Sequence, residues 1–162
     1  MRSVVLVGDI NVGKTTFLQT LMHVYTPPLS YIPTIGADVV GYKELRFFDT
    51  AGQERFQSIT ATQFKRADCV LVFYSCDNET SYNNIEMWIH FVRKHTDVPY
   101  FVVGTKIDVK KQGDKQADFF VNARSSRSIQ PIIDFLRPPV IKIDPAIELV
   151  KSVDDRFCCS IS

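Results

Sequence analysis

Eight residues near the start of the chain carry the strongest chemical signal. Gly8-Asp9-Ile10-Asn11-Val12-Gly13-Lys14-Thr15 fits the spacing G-x-x-x-x-G-K-[ST], directly after one apolar run and directly before an amphipathic one. Glycine at both ends lets backbone wrap closely around an anion. The loop's N–H groups and the N-terminus of the following helix then face anionic oxygens. Lys14 is placed to bridge the β- and γ-phosphates of a nucleoside triphosphate, and Thr15 to set its hydroxyl on Mg²⁺. Asn11, Val12 and Thr16 belong to the same phosphate-binding stretch. The pattern specifies a triphosphate; it leaves open which base is bound and whether the γ-phosphate is cleaved or transferred.

A second stretch, Asp49-Thr50-Ala51-Gly52-Gln53-Glu54, follows another strand pattern. A carboxylate at a strand end near such a loop holds Mg²⁺, directly or through water. Gly52 has no side chain to keep its N–H from the γ-phosphate. The neutral amide of Gln53 can both accept from and donate to an attacking water.

Residues 49–56, D-T-A-G-Q-E-R-F, resemble the second switch of Ras-superfamily small GTPases, and of the Rab branch above all. Tyr31-Ile32-Pro33-Thr34-Ile35-Gly36 resembles the first switch. The resemblance implies that Tyr31 and Thr34 lie at the nucleotide, with Thr34 giving its hydroxyl to Mg²⁺ and its N–H to the γ-phosphate. Thr105-Lys106-Ile107-Asp108 resembles the family's Asn-Lys-x-Asp guanine reader, with Thr105 in place of Asn, as in the Rho branch. There Asp108 accepts from guanine N1–H and from the exocyclic amine, a donor pair that adenine lacks. The stem of Lys106 covers the base. Asn122-Ala123-Arg124 resembles the Ser-Ala-Lys loop, in which Ala123 offers its N–H to the guanine oxygen. The resemblance therefore implies a switch that binds GTP and GDP with Mg²⁺. Thr15, Thr34 and Asp49 hold the metal, and Gln53, Lys14 and Gly52 serve hydrolysis. Effector, exchange-factor and activating proteins are expected at the switch regions.

The elements that must position these residues follow from periodicity. Strand patterns occupy residues 3–8, 37–41, 44–49, 68–75, 99–104 and 118–122, with a turn expected near Tyr42. Helical spacing covers residues 14–24, 79–95 and 126–137, and more weakly 53–66. In the second of these, Tyr82, Ile85, Trp88 and Ile89 share a face. Buried strands alternating with helices predict an α/β fold, with a mostly parallel sheet flanked by helices and a ligand site at the carboxyl ends of the strands. The expected organisation is one P-loop G domain over residues 1–137 and an extension over 138–162.

Departures from the family pattern set further expectations. The span from Thr34 to Asp49 is several residues short, so the interswitch strands should be short. The span from Asp108 to Ala123 is about half the usual length, so one helix should be reduced or missing and apolar sheet surface left bare. Residues 145–153, with apolar side chains spaced by three, are expected to pack back over that gap. Ile10 stands where relatives carry a small residue. It is expected to crowd Gln53, giving slow hydrolysis and a weak response to an activating protein. Pro27 replaces an aromatic that packs on the guanine edge. These departures also motivate a second reading, a nucleotide-dependent binding module with little hydrolysis.

Cys159 stands fourth from the end of the sequence, which satisfies C-a-a-X, and the Cys158-Cys159 pair resembles the doubly prenylated ends of Rab proteins. Two lipid chains would hold a membrane where one binds only marginally. Residues 138–147 and 13–17 resemble the Ran branch instead, which carries no prenyl group. The reading leans to Rab: a cytoplasmic protein, peripheral on the cytosolic face of a membrane, or nuclear if Ran-like. A net charge of +1 gives no reason to expect a nucleic-acid partner. The apolar run after Arg2 is cut short at Gly8 and Asp9, so no signal peptide is expected. Cys69 and Cys76 read as small buried hydrophobes, and the scattered His23, His90 and His95 do not suggest a metal site.

Overall fold

The first apolar run forms a strand at the middle of the sheet, and its composition explains why. In β1 (Arg2–Gly8) the residues Val4, Val5, Leu6 and Val7 have no exposed surface, so both faces of the strand are covered. The computed structural model describes residues 1–23, 37–50, 63–109 and 115–137. The other strands are β2 (Ala37–Tyr42), β3 (Leu45–Thr50), β4 (Cys69–Ser75), β5 (Tyr100–Thr105) and β6 (Phe119–Phe120). They lie in the order β2-β3-β1-β4-β5-β6, parallel throughout except for the antiparallel β2 edge. This is the expected mostly parallel α/β sheet.

The helices are α1 (Lys14–Leu21), α2 (Glu79–Asn83), α3 (Ile85–His95) and α4 (Ser126–Leu136). Alternation along β1 sorts them into two layers. Val4 and Leu6 pack with Phe17, Leu18 and Leu21 of α1 and with Ile129, Ile132, Ile133 and Leu136 of α4. Val5 and Val7 point the other way, to Ile85, Trp88 and Val92 of α3 and to Phe64. Cys69 and Cys76 are buried free thiols among these side chains. Burial in apolar surroundings raises the Cys69 thiol to about 11, so neither redox nor metal chemistry is favoured there.

Several element bounds differ from the sequence reading. α1 stops at Leu21 because His23 turns left-handed (φ +57) and donates its N–H to the Thr20 carbonyl; residue 24 lies outside the described residues. The β2–β3 turn is at Lys43-Glu44, one step beyond Tyr42, since Tyr42 pairs with Leu45 and packs against the core. Each of these two strands is six residues long. The helix expected over residues 79–95 is divided at Asn84. Backbone hydrogen bonds run through the division, from Asn84 N–H to Thr80 O and from Trp88 N–H to Asn84 O, so the two pieces form one rod. The last strand is cut to two residues, with Asp118 and Val121 still donating to Val102 and Gly104 of β5. Of the weak helix at 53–66, only residues 63–66 are described.

Among the described residues no helix lies between β5 and β6. Beside β5 a cavity of about 560 Å³ is lined by Ile89, Tyr100, Val102 and Ala117. The sheet surface expected to lose its cover is therefore open there. Residues 145–153, expected to fill the gap, lie outside the described residues. So does the rest of 138–162.

Candidate nucleotide site

Four strand ends meet at one edge of the sheet. β1 and β4 run side by side with Gly8 opposite Phe73. A Cβ on Gly8 would stand 2.2 Å from the Phe73 carbonyl oxygen, and its φ is +135, so only glycine closes this strand. The loop then carries Asn11 at φ +61 and buries Val12. It reaches the N-cap of α1 at Gly13, which is left-handed at φ +98. This succession of turned peptides is what an anion cradle requires.

Lys14 opens α1 and is 6% exposed. Its Nζ donates to the carbonyls of Gly8 and Asp9, both at 2.8 Å, so the side chain folds back over the loop. Burial lowers its pKa to about 8, and the charges of Asp49 and Asp9 offset part of that. An anion bound in the loop would offset more. Beside it, Thr15 Oγ1 donates to Asp49 Oδ2 at 2.6 Å. Asp49 is 2% exposed and sits opposite Leu6 in the β1–β3 register. The next residue, Thr50, donates its hydroxyl to the Leu6 carbonyl at 2.5 Å and locks that strand end. A hydroxyl and a carboxylate side by side are oxygen donors of the kind Mg²⁺ takes. The residues present fit the metal.

The β5 end builds a second compartment. Thr105 is fully buried, and its Oγ1 lies 2.5 Å from Val12 O and 3.0 Å from Tyr74 O. A hydroxyl has one proton, and the shorter contact, to the phosphate loop, takes it. Thr105 thus ties the loop to β5 although the family reader has Asn at this place. Lys106 follows at φ +57, a left-handed turn uncommon for a residue with a side chain. Its Nζ reaches Asp77 Oδ2 at 3.5 Å. A cavity of about 270 Å³ opens here. It is lined from the loop by Asn11, Gly13 and Thr16, and from the β5 end by Lys106 and Asp108. Asn122, Ala123 and Arg124 close it after β6. Asn122 Oδ1 accepts from Arg124 N–H at 2.8 Å, and its own N–H donates to Ser128 Oγ at 2.9 Å, which holds that loop in place.

Three segments far apart in sequence therefore lie close together: the phosphate loop, Asp49, and the residues named for the base. Tyr31, Thr34, Gly52 and Gln53 lie outside the described residues. Asp9, which the motif passes over as a free position, ties the loop to the helical rod. Its Oδ1 accepts from Trp88 Nε1 and its Oδ2 from Asn84 Nδ2, both at 2.7 Å. Trp88, on the apolar face of its helix, is 3% exposed, while its indole N–H bonds to the loop.

The sequence profile of the Ras family matches residues 3–130. This chain belongs to the Ras family. Among its relatives, the Ras-related protein RABG3a of Arabidopsis thaliana is 38% identical over 120 residues, covering 65% of this chain and 58% of the relative. Human Ras-related protein Rab-26 is 38% identical over 116 residues, covering 65% and 45%. The Ypt/Rab-type GTPase YPT7 of Saccharomyces cerevisiae is 36% identical over 126 residues, covering 67% and 59%. The chain spans about half the length of the curated relatives it matches. Their Rab names agree with the branch that the D-T-A-G-Q-E-R-F stretch points to.

Proposed function

We propose that this chain is a small GTPase that binds GTP and GDP with Mg²⁺ and hydrolyses GTP slowly, as a switch in membrane traffic. One observation carries the reading. Lys14, the Thr15–Asp49 pair and the cavity holding Asp108 lie along a single edge of the sheet, and Gly13 belongs to both compartments. A nucleotide laid along that edge would put phosphates at the loop and the base against Asp108.

Each residue then has a distinct task. The loop N–H groups and the Lys14 ammonium take up charge on the β- and γ-phosphates. When bound, Mg²⁺ supplies further charge neutralisation there, held by Thr15, Asp49 and Thr34. Gln53 orients a water in line with the bond from the γ-phosphorus to the bridging oxygen. As the water's oxygen bonds to phosphorus, that bond breaks, the electron pair leaves on GDP, and the water's proton passes to a phosphate oxygen or to solvent. Gly52 N–H and Thr34 N–H hold the γ-phosphate and order both switches until it departs. Asp108 selects guanine, the Lys106 stem covers it, and Ala123 N–H meets its oxygen. Residues 1–137 hold this machinery as one domain.

The traffic role rests on the Rab-named relatives, which favour it over nuclear transport. In this reading effectors, exchange factors and activating proteins meet the switch segments. Cys158 and Cys159 would carry prenyl groups that attach the protein to the cytosolic face of a membrane.

Ile10 supports one competing reading. Its side chain is 37% exposed on the phosphate loop, where it can obstruct Gln53. The protein would then bind nucleotide and hardly cleave it. Single-turnover GTP hydrolysis with Mg²⁺ separates the two. We expect slow turnover that Gln53→Leu abolishes and Ile10→Gly accelerates. Tight binding without turnover in all three proteins would leave only the binding module.

A further inference from the structure

The phosphate loop is held from above as well as by its own backbone. Asp9 is its second residue, and both carboxylate oxygens are taken by donors from one helical rod, Asn84 at the division and Trp88 a turn later. The Asp9 carbonyl accepts from Lys14 Nζ at 2.8 Å. A continuous path therefore runs from the Trp88 indole through Asp9 to the phosphate-binding ammonium. Asn84 and Trp88 are four residues apart, so they share one face of the rod and reach Asp9 together.

We propose that Asp9 is a positioning residue for nucleotide binding: by gripping Trp88 and Asn84 it fixes the phosphate loop against α3 and holds the carbonyl on which Lys14 rests. The inference rests on the guanine-nucleotide reading of this site. Two consequences follow. Loosening the grip speeds nucleotide release, because a loop that wanders no longer presents its N–H groups and Lys14 together. The single tryptophan of the chain also reports on the loop, since its indole N–H is bonded to the loop's own carboxylate.

The test uses the full chain loaded with fluorescently labelled GDP and Mg²⁺. Release is timed for the wild type, Asp9→Ala, Trp88→Phe and the double variant. Trp88→Phe keeps an aromatic ring in the core and removes the N–H. A hydrogen bond to a charged group is among the stronger kinds, so release should quicken about tenfold in each single variant. The double variant should release no faster than Asp9→Ala, because both changes cut the same link. Trp88 emission should change when unlabelled GDP binds to the wild type, and stay constant in Asp9→Ala. If Asp9→Ala does not fold, the release rate of Trp88→Phe alone decides. An unchanged rate in Trp88→Phe, or rates that multiply in the double variant, overturns the inference while leaving the GTPase reading intact. A wild type that binds no GDP overturns both.

Discussion

Lys14 is where folding and ligand binding pull in opposite directions. In the folded chain its ammonium titrates at about 8 instead of 10.5, chiefly because it is buried. The folded value lies below the unfolded one, so between those pH values the unfolded chain holds more protons. Stability of the nucleotide-free protein therefore rises with pH across that window. Below about pH 8 both states keep the proton, and the cost of burying the charge, roughly 3 kcal/mol, is fully present. Lys14→Met removes that charge. Its nucleotide-free melting temperature should exceed the wild type's at pH 7, with the gap closing toward pH 10; a gap that stays constant would assign it to another cause. Bound phosphate favours the protonated form, so GDP affinity should fall as pH rises past about 8. Calorimetry in two buffers of different ionisation enthalpy would show the matching proton uptake. Asp108→Asn exchanges an acceptor for a donor. GDP affinity should drop about 100-fold or more, while xanthosine diphosphate, whose base has a carbonyl at that corner, should gain. Equal losses for both would remove Asp108 from base recognition.

Among elements, the contact that matters most is between β5 and the phosphate loop. Thr105→Val keeps the shape and removes the hydroxyl that Val12 O uses. The expected loss is about 1–3 kcal/mol in urea unfolding, together with weaker GDP binding. A stability loss with unchanged binding would make Thr105 a core residue only. The sheet was legible because β1 and β4 are unbroken apolar runs with nothing but turn residues at their ends. The β2–β3 turn was legible to within a residue from the break between its strands, although Lys43 takes a left-handed φ that glycine or asparagine would have announced. The division at Asn84 was hidden. Apolar spacing continues across it, and the Asn84 side chain is engaged by Asp9, 75 residues away. The same distance hid Asp9 itself, whose neighbours in sequence say only that it is a variable loop position. Lys14, Thr15, Asp49 and Asp108 were readable because their motifs fix chemistry locally, by residue type at fixed spacing.

For the molecule as a whole, the site sits where both core layers end, so a ligand there braces strands and helices of each. Nucleotide that binds only the folded state stabilises it by about 2.7 kcal/mol at a hundredfold excess over Kd. For a domain of this size that is roughly 5–10 °C in melting temperature. GDP with Mg²⁺ should produce that shift, and ADP with Mg²⁺ should not. Chelating the metal should reverse part of it if the Thr15–Asp49 pair holds Mg²⁺. A rise that ignores both the base and the chelator would point to phosphate binding alone. The opening beside β5 lies away from this edge, lined by Ile89 and Tyr100, and the ligand's bracing would not reach it.

The central place of β1 has a consequence during synthesis. It is made before both of its partners, since Val5 pairs with Phe48 on one side and with Val70 on the other. Parallel pairings of that span form late, because the intervening chain must first be closed into loops. At ordinary elongation rates, Asn84 and Trp88 emerge roughly 4–16 s after Asp9. Until Phe48 and Val70 have been made, Val4 to Val7 has no strand to pair with on either side, an apolar ribbon that a chaperone could hold. The nascent chain gains its grip on the phosphate loop only once Trp88 has left the ribosome.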